Sequence, residues 1–203
     1  MRTIGHAGYP PLTLFTKLDY PSHTFTTTEP TEELKALFDK VSNSGKVRSK
    51  NYKIDKDLIS RTLAYTVTTI EDGKPIIASL VWSRPMYNGI ARLCTRYCID
   101  PEFSLINFGK GTDGMRLDTM DHIIQQIDIC KSMGYTDFFI GREDWKSKGR
   151  RTRKIAKQMS LYTGIEWKVS EDEVLVSNTP EDDQSWQYII YNNRKDFDYE
   201  SEL

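Results

Sequence analysis

Residues Leu63–Ile99 read LAYTVTTIEDGKPIIASLVWSRPMYNGIARLCTRYCI. Leu63–Ile70 is rich in β-branched residues and ends in Glu71-Asp72-Gly73. Asp-Gly between two apolar runs predicts a hairpin with a type I′ turn. Lys74–Arg84 is the next run, carrying Ile76, Ile77, Leu80, Val81 and Trp82. Asn88-Gly89 is a second hairpin signal, and Ile90–Ile99 is the third strand. Three such runs joined by turn residues predict an antiparallel meander.

C-terminal to the meander the period changes. After a glycine-bearing loop, Met115–Met133 predicts a helix with Met120, Ile123, Ile124, Ile127 and Cys130 or Lys131 on one stripe, stopped by Gly134. Phe138-Phe139-Ile140 predicts a short buried strand. Strand, helix, strand requires a parallel crossover. Arg150–Thr163 predicts a second helix, stopped by Gly164. Ile165–Val169, Val174–Val176 and Tyr188–Tyr191 predict closing strands. The last puts Trp186, Tyr188 and Ile190 on one face and Gln187, Ile189 and Tyr191 on the other.

N-terminal to the meander, Thr31 can cap a helix with Glu32 and Glu33 in its first turn. Leu34, Leu37, Phe38 and Val41 follow at helical spacing, with Gly45 as a stop. A short helix is expected near Asp55–Arg61. The expected organisation is a Pro- and Thr-rich arm over 1–30 with a short strand near Leu12–Leu18, one domain over 31–193, and an acidic tail over 194–203. The fold class is α+β: a central mixed, mostly antiparallel sheet flanked by helices.

The chain has 203 residues and a formal charge of −1, with 38% hydrophobic and 11% aromatic residues. Those fractions exclude a wholly disordered chain. No apolar run approaches the ~20 residues that cross a bilayer. Met1–His6 lacks the apolar core of a signal peptide, so a cytoplasmic protein with no membrane contact is expected. Three cysteines without CxxC spacing (Cys94, Cys98, Cys130) suggest reduced, mostly buried thiols. His6, His23 and His122 lie far apart, so no metal is expected.

Two regions carry chemistry. Asn107-Phe108-Gly109-Lys110-Gly111-Thr112 and Gly114 stand just before the helix at Met115. Glycines let a backbone approach a diphosphate closely, and a helix start adds a favourable dipole. The same text also fits a plain left-handed turn. Glu143 and Asp144 follow the strand Phe138–Ile140, with Trp145 beside them. A carboxylate against Trp can have a raised pKa and act as a general base. The alternative is an acidic loop that starts a basic helix. Asp100 and Glu102 are further base candidates, and His122 reads as a helix-surface or rim residue.

The element order and several local motifs resemble the GNAT superfamily of N-acetyltransferases, over roughly residues 60–191. Ile99-Asp100-Pro101-Glu102-Phe103 looks like the V-x-P-E-Y stretch that leaves that family's fourth strand. Asn107–Thr112 looks like the end of its R/Q-x-x-G-x-G/A diphosphate loop, and Gly134-Tyr135 like a glycine-aromatic step. The resemblance implies acetyl-CoA or another acyl-CoA as substrate and a small-molecule or protein amine as acceptor. It implies main-chain contacts to the donor from Arg96 to Ile99 (Tyr97, Cys98 and Ile99 among them) and from Asn107, Gly109, Lys110, Gly111, Thr112 and Gly114. In the family a tyrosine four residues before the Gly-Phe step protonates the CoA thiolate. Counting back from Gly164-Ile165 gives Ser160, with Ala156 in register. Tyr162 is near, but at 100° per residue it points about 160° away from Ser160. It shares a face with Ile155 and Met159 and reads as an acid or as core. The family's loop Arg or Gln is Ile106 here, and both flanking gaps are longer than usual. Gly114–His122 and Trp186–Asn192 also look like GNAT-like proteins of tailed phages, which would place the protein in a host cytoplasm.

Charge is uneven. Residues 171–203 hold ten acids and two bases, whereas seven of the twelve residues from Lys146 to Lys157 are basic. Arg150, Arg153, Lys154 and Lys157 fall within roughly 100° of one helix face, preceded by Lys146 and Lys148. That face can pair with the acidic tail, bind nucleic acid or protein, or meet a CoA phosphate. Three functions follow: an acyl-CoA-dependent N-acyltransferase with Glu143, Tyr162 or Ser160 as catalytic groups; a non-catalytic GNAT-like phage binding or virion structural protein that has lost the CoA site; and a nucleic-acid-binding or base-modifying protein.

Overall fold

The structure, a computed structural model, describes residues 22–44, 56–83, 89–103, 117–177 and 184–193. In chain order the elements are β1 (Ser22–Thr27), α1 (Glu32–Asn43), α2 (Lys56–Arg61), β2 (Thr62–Ile70), β3 (Pro75–Trp82) and β4 (Ile90–Ile99). They continue with α3 (Leu117–Ser132), β5 (Asp137–Arg142), α4 (Arg150–Thr163), β6 (Lys168–Val169), β7 (Val174–Ser177) and β8 (Gln184–Tyr191). The sheet runs β1-β2-β3-β4-β5-β8-β6, with β7 also on β8. All pairs are antiparallel except β4–β5, the parallel crossover expected from strand, helix, strand.

Helix α1 lies on one face of the sheet. Thr31 Oγ1 accepts from the Leu34 N–H at 3.2 Å, so the expected cap forms. Leu34, Leu37, Phe38 and Val41 pack on Tyr65, Val67, Leu80, Trp82 and Phe139. The helix ends on Ser44 before Gly45, which lies outside the described residues. Helices α3 and α4 cover the other face. Met120, Ile123, Ile127, Cys130, Ile155, Ala156 and Met159 pack there on Ala64, Val81, Leu93, Phe138 and Ile140. Gly134 (φ +92°) and Gly164 (φ +71°) follow the two helices in the left-handed conformation expected of stops.

Three expectations are corrected. Ser22–Thr27, read as arm, is the sheet's edge strand, registered from Ser22↔Ile70 to Thr27↔Tyr65. Its threonines pair across the strands, Thr24 with Thr68 at 2.8 Å and Thr26 with Thr66 at 3.2 Å. Such cross-strand hydroxyl pairs hold a polar strand that hydrophobic patterning does not reveal. The strand expected near Leu12–Leu18 lies outside the described residues. The hairpin at Asp72-Gly73 is not type I′, which needs positive φ at both central residues. Only Gly73 has one (φ +78°), and its N–H donates to Ile70 C=O at 2.8 Å. The loop is a three-residue type I turn with a glycine bulge. It is braced by the Lys74 N–H on Asp72 Oδ1 at 2.9 Å. The closing strand expected over Ile165–Val169 is shorter, Lys168–Val169.

Candidate active site

Strand β4 is regular at its start and distorted in its middle. Cys94 (φ +50°) and Arg96 (φ +52°) are non-glycine residues in left-handed conformation. The β3 partners Trp82, Leu80 and Ala78 face Arg92, Thr95 and Cys98, so twice two residues of β3 span three of β4. Each step is a β-bulge, which bends the strand and increases its twist. Leu93 and Cys94, adjacent in sequence, consequently both pack toward the α3–α4 core. Strand β4 pairs with β5 only over Ile90–Arg92 and Asp137–Phe139. Beyond that point Thr95–Ile99 and Ile140–Arg142 share no pair, so the two strands part into a cleft.

The bulge is held by a buried polar chain. The Cys94 N–H donates to Gln126 Oε1, and Gln126 Nε2 donates to Ser79 Oγ, each at 2.8 Å. Ser79 Oγ meets His122 Nδ1 at 2.7 Å, and His122 Nε2 meets Thr68 Oγ1 at 2.8 Å. His122 is fully buried, which corrects its reading as a surface or rim residue. Burial pushes its pKa down to about 3, so it is neutral. Its helix position suggested exposure, but Thr68 and Ser79 on adjacent strands present hydroxyls to both ring nitrogens.

The expected donor-binding residues on β4 fall along the parted segment. Tyr97 lies edge-on to the His122 ring, with centroids 5.7 Å apart. Cys98 pairs with Ala78 and is buried in the α1-side core, so only its main chain can serve a ligand. Ile99 pairs with Ile77. Asn107, Gly109, Lys110, Gly111, Thr112 and Gly114 lie outside the described residues, as does Ile106. Burial pushes the Cys94, Cys98 and Cys130 thiols up to about 12, so none is a ready nucleophile. Among the described residues no His, Cys, Asp and Glu group could hold a metal ion. No helix there is long and apolar enough to cross a membrane.

The acidic candidates separate. Glu143 is exposed just past β5. Asp144 is buried and accepts from Ser147 Oγ at 2.6 Å and from the Thr152 N–H and hydroxyl at 2.9 Å each. Burial alone would raise its pKa. The hydrogen bonds from Ser147 and Thr152 and the Arg142 charge outweigh burial and hold the carboxyl below its usual range. The expected raised pKa is therefore wrong for Asp144, which ties down the start of α4. Trp145 is 58% exposed, with Lys146 Nζ 5.3 Å from its ring centre. Asp100 is buried beside Lys40 at 2.9 Å, and Glu102 meets Lys40 at 2.9 Å and Lys74 at 3.3 Å. These two acids anchor α1 and the β2–β3 hairpin to the end of β4.

Neither acid candidate on α4 is idle. Ser160 Oγ donates to Ala156 C=O and accepts from the Trp167 N–H, both at 3.0 Å. Tyr162 is half-buried against the α3–α4 core, and its hydroxyl donates to Asp121 Oδ1 at 3.0 Å. On the basic face Lys146, Lys148, Arg150, Lys154 and Lys157 are exposed. Arg153 binds the Lys148 and Glu171 carbonyls at 3.0 Å each and stacks on Tyr188.

One residue was missed by sequence reasoning. Arg142 ends β5 on the same strand face as Phe138 and Ile140, toward α3 and α4. Its Nε is buried without a hydrogen-bond partner. Burial first, then the neighbouring Arg151, hold its pKa below the ordinary value; Asp144 and Cys94 act the other way. The alternation Phe138, Ile140, Arg142 was the available signal. Gly141 beside it has no room for a Cβ, which would collide with Gln187 Oε1.

No family model matches the sequence, and no curated protein does. Solved structures do match. A protein from Lactobacillus plantarum assigned as an N-acetyltransferase superposes with a TM-score of 0.51 at 12% identity, covering 85% of this chain and 97% of that one. A protein from Desulfovibrio desulfuricans assigned as an acetyltransferase of the GNAT family also gives 0.51, at 10% identity, covering 85% and 98%. At such identity the likeness shows the fold alone.

Proposed function

We propose, on the premise that this chain has the GNAT fold, that it is an acyl-CoA-dependent N-acyltransferase acting on an amine. The observation that carries the reading is the parting of β4 from β5 beyond the Arg92–Phe139 pair, where the Cys94 bulge begins. Two strand edges that share no pairs can hydrogen-bond an amide-bearing arm laid between them, which fits the pantetheine of an acyl-CoA. Bound there, the donor supplies an activated acyl group as a thioester. The main chain from Arg96 to Ile99 would orient it, and Asn107, Gly109, Lys110, Gly111, Thr112 and Gly114 would hold its diphosphate. Glu143, exposed beyond β5, would take the acceptor's proton directly or through water. Tyr162 would give its hydroxyl proton to the leaving thiolate after turning from Asp121, and the proton taken from the amine would return to the phenolate through solvent water. No covalent enzyme intermediate is needed, consistent with the high thiol pKa values.

Thermal unfolding with and without acetyl-CoA tests this reading, with calorimetric titration as the confirmation. Ligand at ~100 times its dissociation constant adds about 2.7 kcal/mol. A rise in melting temperature with a fitted 1:1 site supports the acyltransferase. No response to acetyl-CoA, CoA or longer acyl-CoAs overturns it.

A non-catalytic protein on the same scaffold is the second reading. Ser160, at the position of the family's acid, spends its hydroxyl on Ala156 and Trp167. A folded protein that binds neither acetyl-CoA, CoA nor a longer acyl-CoA would select it. Nothing in the structural likeness favours nucleic acid on the basic face.

A further inference from the structure

Arg142 stands where the two strands have parted. It lies three residues past Phe139, the last β5 residue paired with β4. That distance is about 10 Å along an extended strand. Its main chain is registered with Tyr188 of β8, so its place in the sheet is fixed. Its side chain points to the α3–α4 face, where Cys94 at the bulge, Asp144 before α4 and Arg151 on α4 are its electrostatic neighbours. Its Nε is enclosed and has no hydrogen-bond partner.

The neighbouring Asp144 carboxylate does not satisfy its Nε. Both Asp144 oxygens are engaged by Ser147 and Thr152 at the start of α4. Arg151 adds a second positive charge to the same neighbourhood. A guanidinium keeps its proton in proteins and offers a planar fork of donors matched to carboxylate and phosphate. Enclosing one of those donors, here Nε, without a partner is costly, and an anion that reaches it removes that cost.

We infer that Arg142 is an oxyanion-binding residue in the β4–β5 cleft, taking a phosphate or carboxylate of a bound substrate. The inference deepens the acyltransferase reading and rests on it for the identity of the substrate. The oxyanion has two sources there, the phosphates of the donor or a carboxylate carried by the second substrate.

The test uses the full chain and its Arg142→Gln and Arg142→Lys variants. Sodium diphosphate and sodium succinate are titrated while the Arg142 side-chain Nε–H resonance is followed. Acetyl-CoA and S-acetylpantetheine, which lacks all phosphates, are titrated by calorimetry. The expected result is a shift of the Arg142 resonance with an anion, and at least about tenfold weaker binding of that anion by Arg142→Gln. Arg142→Lys should recover part of the loss. Weaker acetyl-CoA binding with unchanged S-acetylpantetheine binding assigns the donor's phosphates. Unchanged acetyl-CoA binding with weaker succinate binding assigns a carboxylate. An Arg142→Gln protein that binds every probe like wild type overturns the inference, as does a resonance that no anion moves. If wild type binds anions at Arg142 but not acetyl-CoA, the acyltransferase reading fails and the anion site stands. Removing an uncompensated charge should leave the urea midpoint unchanged or raised. If Arg142→Gln does not fold, the resonance titration and Arg142→Lys decide.

Discussion

The main-chain N–H of Cys94 is bound not by a neighbouring strand but by the side chain of Gln126, at 2.8 Å from Oε1. A helix residue thus completes the hydrogen bonding of the bulge that turns β4 away from β5. The bulge and the helix register depend on each other.

Gln126→Ala should expose that dependence. The substitution strips the Cys94 N–H of its acceptor and Ser79 of a donor in a fully buried site. A lone unsatisfied buried group costs about 1–3 kcal/mol. Urea denaturation should show a loss of at least that order, and acetyl-CoA affinity should fall with it. An unchanged midpoint would show that the bulge holds itself.

His122 gives stability a pH dependence of known sign. Its folded pKa, about 3, lies below the unfolded value near 6.5. The unfolded chain therefore takes up a proton first, and stability falls as pH drops from 6.5 toward 3. Between pH 6 and 5 this one group should cost about 1 kcal/mol. His122→Gln should flatten the stability profile over that interval while lowering it overall. Denaturation midpoints at pH 7, 6 and 5 for both proteins provide the check.

Two glycines in the same conformation should respond differently to alanine. A Cβ on Gly164 (φ +71°) meets nothing within 4 Å, whereas one on Gly149 (φ +73°) would sit 2.6 Å from the Tyr188 ring. Gly164→Ala should cost only the left-handed strain, about 1 kcal/mol. Gly149→Ala adds a collision with a buried aromatic and should cost about 2–4 kcal/mol. Equal melting temperatures would mean the ring gives way.

The two hydroxyls on α4 should separate fold from chemistry. Ser160→Ala removes the acceptor of the Trp167 N–H, so stability should fall by about 1 kcal/mol. Tyr162→Phe removes the hydrogen bond to Asp121 at 3.0 Å. If Tyr162 supplies the proton, Tyr162→Phe should lower kcat by about 10²-fold or more at unchanged donor affinity. Similar activity in both variants would assign the proton to another group.

Local period carried much of the fold into the sequence. The stripe Leu34, Leu37, Phe38, Val41 and the run Phe138–Ile140 are buried as their spacing requires. Arg150–Thr163 and Ile90–Ile99 have the ends that their flanking residues mark. The edge strand Ser22–Thr27 was illegible because its support is threonine pairing across strands rather than an apolar face. The site was only partly legible. Tyr97, Cys98 and Ile99 lie in line along β4, but no rule of spacing tells that Asp144 caps a helix or that Ser160 serves Trp167.

Element order, helix stops and the faces that must be buried follow from interactions within a few residues, and a single chain displays them to inspection. The bulge at Cys94, the burial of His122, the commitment of Asp144 and the unpartnered Nε of Arg142 are of another kind. Each depends on groups distant in sequence, Gln126 for Cys94 and Thr68 for His122. Hydrogen bonding and desolvation act over a few ångströms in space, so only the assembled sheet and helices decide which polar groups are satisfied and which are left to bind.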